Sequence, residues 1–262
     1  MNPLSFAVND GVATLAIQRA AVGNAIDMTI IRAMHQALDY IQRPESHARA
    51  VVITGSNDVF CGGLDLHSVD LESREARQRV HFQMRRYMDP LISRLSGFRI
   101  PIIAAVNGAA VGAGMSLALA CDIIIASEAA YFLPSYARLG FVPDAGITFH
   151  LARRIGVGRS LSSLMLAETI SAKTALKWGL AYAVVPPVQV LTRAQTIARQ
   201  LATGPCAVLA QIRALIASTF ENSLQEQLRA ERSAQEMTLE TYDCVEGVRA
   251  FFEKREPYFS HP

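Results

Sequence analysis

The stretch VPDAGIT, residues 142–148, sets an acid, Asp144, between a proline and a run of small residues. Two glycine-containing turns precede it. FCGGLDL covers residues 60–66, and NGAAVGAGMSLALACDI covers residues 107–123. Small residues in such turns let backbone N–H groups face an incoming group with no Cβ in the way. A helix that starts there adds partial positive charge. The chemistry this permits is the binding of an anion or an oxyanion.

The nucleotide-binding versions of such turns fail on their own rules. A Walker loop needs a lysine directly after its second glycine, and none stands near Gly112 or Gly114. A dinucleotide fingerprint needs G-x-G-x-x-G, but Gly112-Ala113-Gly114 is followed by Met115, Ser116 and Leu117. Taken alone, the second turn fits close helix–strand packing. Asp144 is two-sided as well. It precedes AGITFHLARRIG, which reads as a helix, and aspartate is a favoured N-cap. His81, His150, Met84 and Met88 show no metal-ligand spacing, and no metal is expected. Cys61 lies inside the first turn without an evident base partner and reads as a small packed residue.

The elements around these residues alternate. FAVNDGVATLAIQR reads as a hairpin turning at Asp10-Gly11. Met28, Ile31, Met34, Leu38 and Ile41 have helical spacing, with Asp27 as N-cap. RAVVITGS, PIIAAVNG and DIIIAS are short β-branched runs of the kind buried on both faces. GAGMSLALAC suits a short buried helix between the last two. Strands alternating with helices imply an α/β fold. From Val188 onward the chain reads as helices only, so a core over residues 1–187 and a helical region over residues 188–262 are expected.

Composition excludes several functions. The chain has 262 residues, is 51% hydrophobic and carries a formal net charge of +2. No basic block suggests nucleic acid as a partner. Four well-separated cysteines argue against a zinc ribbon or a disulfide scaffold. The N-terminus does not read as a signal peptide, and no run of about 20 apolar residues suggests a membrane span. A cytoplasmic protein is expected.

The motifs in order resemble the enoyl-CoA hydratase/isomerase family, the crotonases. FCGGLDL, IPIIAAVNGAAVGAGMSLALACDIIIAS, YFLPSYARLGFVPDAGIT, ISAKTALKWGLAYAVVP and EGVRAFFEKREPYF follow one another in family order. The resemblance implies a crotonase-like spiral of ββα units with a helical C-terminal region, assembled as a trimer or a dimer of trimers. It implies an acyl-CoA thioester as ligand, with coenzyme A arriving as part of the substrate and no other cofactor. The thioester oxygen would be held by the N–H groups of Leu64 and Ala113, in turns framed by Gly112 and Gly114. The backbone of Asp65 and Leu66 would lie near the CoA adenine. Lys254 matches a lysine that reaches the CoA of a neighbouring subunit; it also reads as an exposed helix lysine.

The chain departs from the hydratases at two places. Where family hydratases carry glutamates, this sequence has Ser116 and Tyr136. Neither serves as a carboxylate base. Asp144 falls where several family isomerases carry a catalytic aspartate. Shifting a double bond needs one base that takes a proton and returns it elsewhere. The expected activity is therefore an enoyl-CoA isomerase with Asp144 as base and acid, and with Ser116 and Tyr136 in the acyl pocket. The alternatives are a hydratase, an Asp-nucleophile hydrolase or dehalogenase, and a non-catalytic acyl-CoA binder. The segment Ser68 to Phe98, which sets the pocket's size, carries no readable motif.

Overall fold

In the computed structural model, residues 2–68 and 72–259 are described, so residues 69–71 of the Ser68–Phe98 segment lie outside the description. The chain opens with β1 (Leu4–Asn9) and β2 (Val12–Ile17), paired antiparallel with Asn9 opposite Val12. The two turn residues, Asp10 and Gly11, both have positive φ, as a tight hairpin requires. Helix α1 (Met28–Ile41) follows. The Asp27 carboxylate accepts from the Thr29 and Ile30 amides, the expected cap.

Three ββα units then wind onward. The first is β3 (Ala50–Gly55), β4 (Val59–Cys61) and α2 (Arg74–Gln83), which runs through a π-helical turn at Met84–Met88 into α3 (Asp89–Ser96). The second is β5 (Ile102–Val106), β6 (Ala109–Val111) and α4 (Ala113–Leu119). The third is β7 (Ile123–Ser127), β8 (Tyr131–Leu133), α5 (Ile147–Ile155) and α6 (Val157–Leu166). In each unit the first strand enters one sheet and the second strand enters another. The chain continues through β9 (Ile170–Ser171), α7 (Ala172–Trp178) and β10 (Ala183–Val185). The large sheet has the order β1-β2-β3-β5-β7-β10 and is parallel after β2. The small sheet has the order β4-β6-β8-β9. The result is the expected α/β spiral.

Both faces of the large sheet are covered, which is why its strands read as unbroken apolar runs. One face packs on α1 and α3 in the main core. The other is closed by α8 (Val190–Ala202), whose Val190, Ala194, Ile197 and Ala198 meet Val52, Ile103, Ala105 and Ile125. The helix that begins the 188–262 region is thus a wall of the sheet core. A chain ending at Pro187 is expected to aggregate, because it bares that face. Size-exclusion chromatography checks this; a soluble, monodisperse product would contradict it. The remaining helices are α9 (Cys206–Ser218), α10 (Leu224–Leu239) and α11 (Tyr242–Glu253). They leave Ile216, Phe220, Leu224, Phe251 and Phe252 exposed. Among the described residues, no single helix is long and apolar enough to cross a membrane.

Candidate active site

The two glycine turns lie against each other. Ile26 bridges Leu64 in parallel fashion: its N–H donates to the Gly63 carbonyl at 2.6 Å, and its carbonyl accepts from the Asp65 N–H at 2.9 Å. Extended backbone presents successive N–H groups to alternate sides, so the Leu64 N–H faces away from Ile26. Gly63 has φ +92, and a Cβ there would stand 2.7 Å from the Val111 carbonyl oxygen and 3.5 Å from the Ala113 nitrogen. One turn after, a Cβ on Gly114 would run into the Cys61 carbonyl. These glycines are the close-packing residues that the second turn suggested, and the packing brings two backbone turns side by side.

Ala113 is the first residue of α4, so its N–H has no intrahelical acceptor. The preceding Gly112 N–H is already taken by the Leu133 carbonyl at 2.9 Å. The buried thiol of Cys61 is pushed up to about 12 by burial and stays protonated at neutral pH.

The first turn is braced from beneath. The Arg19 guanidinium lies 2.9 Å from the carboxylate of buried Asp65, 3.2 Å from that of Asp27, and donates to the Ala25 carbonyl. Fully buried Asn24 donates to the Ser56 and Val59 carbonyls and accepts from the Arg19 N–H. Both lie in QRAAVGNAIDM, a segment that resembles one in the family, but the sequence gives neither a role; a buried asparagine inside a loop has no periodic signature. Arg19→Ala leaves the Asp65 carboxylate without its cation, with the His67 N–H still donating to its other oxygen, and an unsatisfied buried group costs about 1–3 kcal/mol. The expected result is a Tm several degrees below wild type, read by calorimetry.

Asp144 does not cap α5. The cap position belongs to Gly146, no side chain bonds there, and both Ala145 and Gly146 have positive φ. These two left-handed residues turn the chain so that Asp144 stands outside the helix. The Tyr136 hydroxyl lies near enough to its carboxyl to favour the ionised form. That hydroxyl lies 3.2 Å from Ser116 Oγ, and Ser116 is in turn 3.4 Å from the carbonyls of Gly112 and Asp144. Ser116 and Tyr136 are buried behind the acid and are not among the described residues of the cavity wall. Burial pushes the Tyr136 hydroxyl far up, aided by the nearby Asp144 charge.

Asp144 itself opens onto a cavity of about 320 Å³. Leu64, Leu66, Met84, Phe141 and Val142 give it apolar walls; Asp89 and His81 are also on it. A second cavity of about 250 Å³ shares Leu64, Val80 and Met84 with the first. Asp144 is exposed on the cavity's open side, and partial shielding by the surrounding protein holds its carboxyl above the ordinary range; the Asp89 charge adds to this and the nearby Tyr136 hydroxyl opposes it. His81 and Met84, which show no metal-ligand spacing, line this cavity, whereas Met88 is fully buried. Lys254 ends α11 with positive φ and is exposed, on neither cavity. Sequence reasoning passed over Asp89. Its only signal is the pair Asp89-Pro90, which looks like an ordinary helix start.

Two adjoining turns, each offering a backbone N–H, beside an apolar cavity with a carboxyl on its wall: this arrangement suits a carbonyl oxygen on which charge develops. The family model for enoyl-CoA hydratase/isomerase matches residues 7–262. The chain is 35% identical to a 1,2-epoxyphenylacetyl-CoA isomerase of Escherichia coli strain K12, over 97% of this chain and 96% of that one. It is 34% identical to a 4-chlorobenzoyl coenzyme A dehalogenase of Arthrobacter sp, over 75% and 71%. The crystal structure of an enoyl-CoA hydratase from Polaromonas sp. JS666 superposes with a TM-score of 0.92 at 34% identity, over 97% of this chain and 98% of that one. The chain belongs to the enoyl-CoA hydratase/isomerase family, whose members act on CoA thioesters.

Proposed function

We propose that this protein is an enoyl-CoA isomerase. The Leu64 and Ala113 amides hold the thioester oxygen, and Asp144 moves the proton. The observation that carries this reading is the position of Asp144: free of the helix cap and on the wall of an apolar cavity beside the Leu64 turn. A carboxylate held above its ordinary range is a better base for a carbon acid. Removing a proton beside a thioester makes an enolate, and preorganised N–H donors stabilise that charge. The apolar faces of α9 to α11 are covered in this reading by neighbouring subunits of a trimer or a dimer of trimers. The test is isomerisation of a panel of 2- and 3-enoyl-CoA thioesters in D₂O, followed by mass spectrometry. A shifted double bond, with or without deuterium uptake, supports the reading; binding with neither uptake nor a shifted double bond on any member overturns it.

A second reading is favoured by the likeness to the dehalogenase, with Asp144 as nucleophile on an aryl or acyl thioester. A covalent adduct on Asp144 in single-turnover intact-mass analysis would select it.

A further inference from the structure

The cavity in front of Leu64 carries a second carboxylate that the single-base scheme leaves unused. Asp89 opens α3, just after the π-helical turn at Met84–Met88, and lines the same cavity as Asp144. The two acids come from different elements. Asp144 is linked through Ser116 to Gly112, at the end of the cavity where the thioester oxygen would lie. Asp89 has no such link and belongs to the segment that supplies Val80, Met84 and Arg85 to the wall. Its charge reaches Asp144, as the upward push on that carboxyl records. The other titratable or charged groups around the pair are His81 and Arg85 on the wall and Tyr136 behind Asp144. Among the described residues, no ion pair within 4.0 Å joins Arg85 to Asp89.

We infer that Asp89 is a second proton-transfer residue, serving the far end of the allylic system while Asp144 serves the carbon beside the thioester. The inference rests on the isomerase reading above. Both carboxyl groups line one cavity, and the step starts with Asp144 ionised and Asp89 carrying a proton taken up from solvent. On a 3-enoyl thioester, the Asp144 carboxylate takes a proton from C2. The C–H electron pair passes into the enolate and returns as the C2–C3 double bond. The former C3–C4 π pair then takes the proton of the Asp89 carboxyl to form the new C4–H bond. One C–H bond breaks and one forms, nothing is oxidised, and proton exchange with solvent resets the pair.

The alternative role for Asp89 is local: an acid in the first turn of α3 interacts favourably with the helix dipole. Isotope tracing separates the two. With [2,2-²H₂]-3-hexenoyl-CoA in H₂O, wild type is expected to give 2-hexenoyl-CoA with no deuterium at C4. Asp89→Asn is expected to isomerise about 10²-fold more slowly, yet still to exchange the C2 protons of unlabelled 3-hexenoyl-CoA in D₂O through Asp144. Asp89→Glu keeps the carboxyl and recovers part of the rate. Substrate deuterium found at C4, or an Asp89→Asn variant as fast as wild type, overturns the inference while leaving the isomerase reading intact. Wild type that neither exchanges C2 nor isomerises overturns both. Where Asp89→Asn does not fold, the wild-type label position and Asp89→Glu still decide.

Discussion

Asp144→Asn is expected to cut isomerase turnover by about 10²–10⁴-fold, the range a positioned acid–base group contributes. KM for the CoA thioester should stay close to wild type, because the amide fills the same space and the thioester is held elsewhere. The split between kcat and KM is the diagnostic: a loss of binding would make Asp144 a wall residue. The pH profile carries a second expectation. A base works only when ionised, so kcat/KM rises with pH as Asp144 loses its proton. Burial raises that carboxyl, so the acid limb lies above the ordinary carboxylate range. The nearby Tyr136 hydroxyl favours the ionised form and lowers it, so Tyr136→Phe should move the limb further up. Stability runs the other way. A carboxyl raised on folding costs nothing well below its unfolded value and destabilises increasingly as pH climbs through the folded one. Asp144→Asn should therefore have the higher Tm at neutral pH and lose that advantage in acid. A base bought at the expense of stability is what a catalytic position would show.

The residues that sequence reading placed well are those whose meaning is local. Asp10-Gly11 fixes a tight hairpin by its own φ preference, and Asp27 caps α1 through amides two and three residues on. The buried strands are legible because both sheet faces are covered, which removes alternation from the pattern. Where a residue's role depends on a neighbour far along the chain, the sequence is ambiguous. Asp144 before a helix has the look of a cap, and only the left-handed pair Ala145–Gly146 turns it away. Ser116 and Tyr136 are 20 residues apart, and nothing local shows that they meet behind Asp144. Asp89 is hidden by its position: an acid in the first turn of a helix explains itself. The change of character at Val188 is legible, but most of the sheet face that α8 covers, at Val52, Ile103, Ala105 and Ile125, comes from strands more than 60 residues earlier.

Ala113→Pro should separate the oxyanion site from everything else the second turn does. Proline has no N–H, so the substitution deletes one proposed donor and leaves the other, on Leu64, in place. The position tolerates it better than most. Ala113 is the first residue of α4, where a helix accepts proline and the missing N–H breaks no helical bond. The residue before a proline is pushed from helical to extended backbone. Gly112, at φ 49 and ψ −120, sits in the mirror image of that extended region, which glycine alone occupies freely. The Gly112 N–H to Leu133 is untouched. Loss of one preorganised donor costs about 10²–10³ in kcat. The expectation is therefore a fall of that size with Tm within a few degrees of wild type. C2 exchange in D₂O should fall in step with isomerisation, because both pass through the same enolate. Exchange and turnover that survive with the fold intact would show that the Ala113 amide never touches the developing charge. The two glycine turns would then be a packing device, and the thioester oxygen would have to find its donors elsewhere.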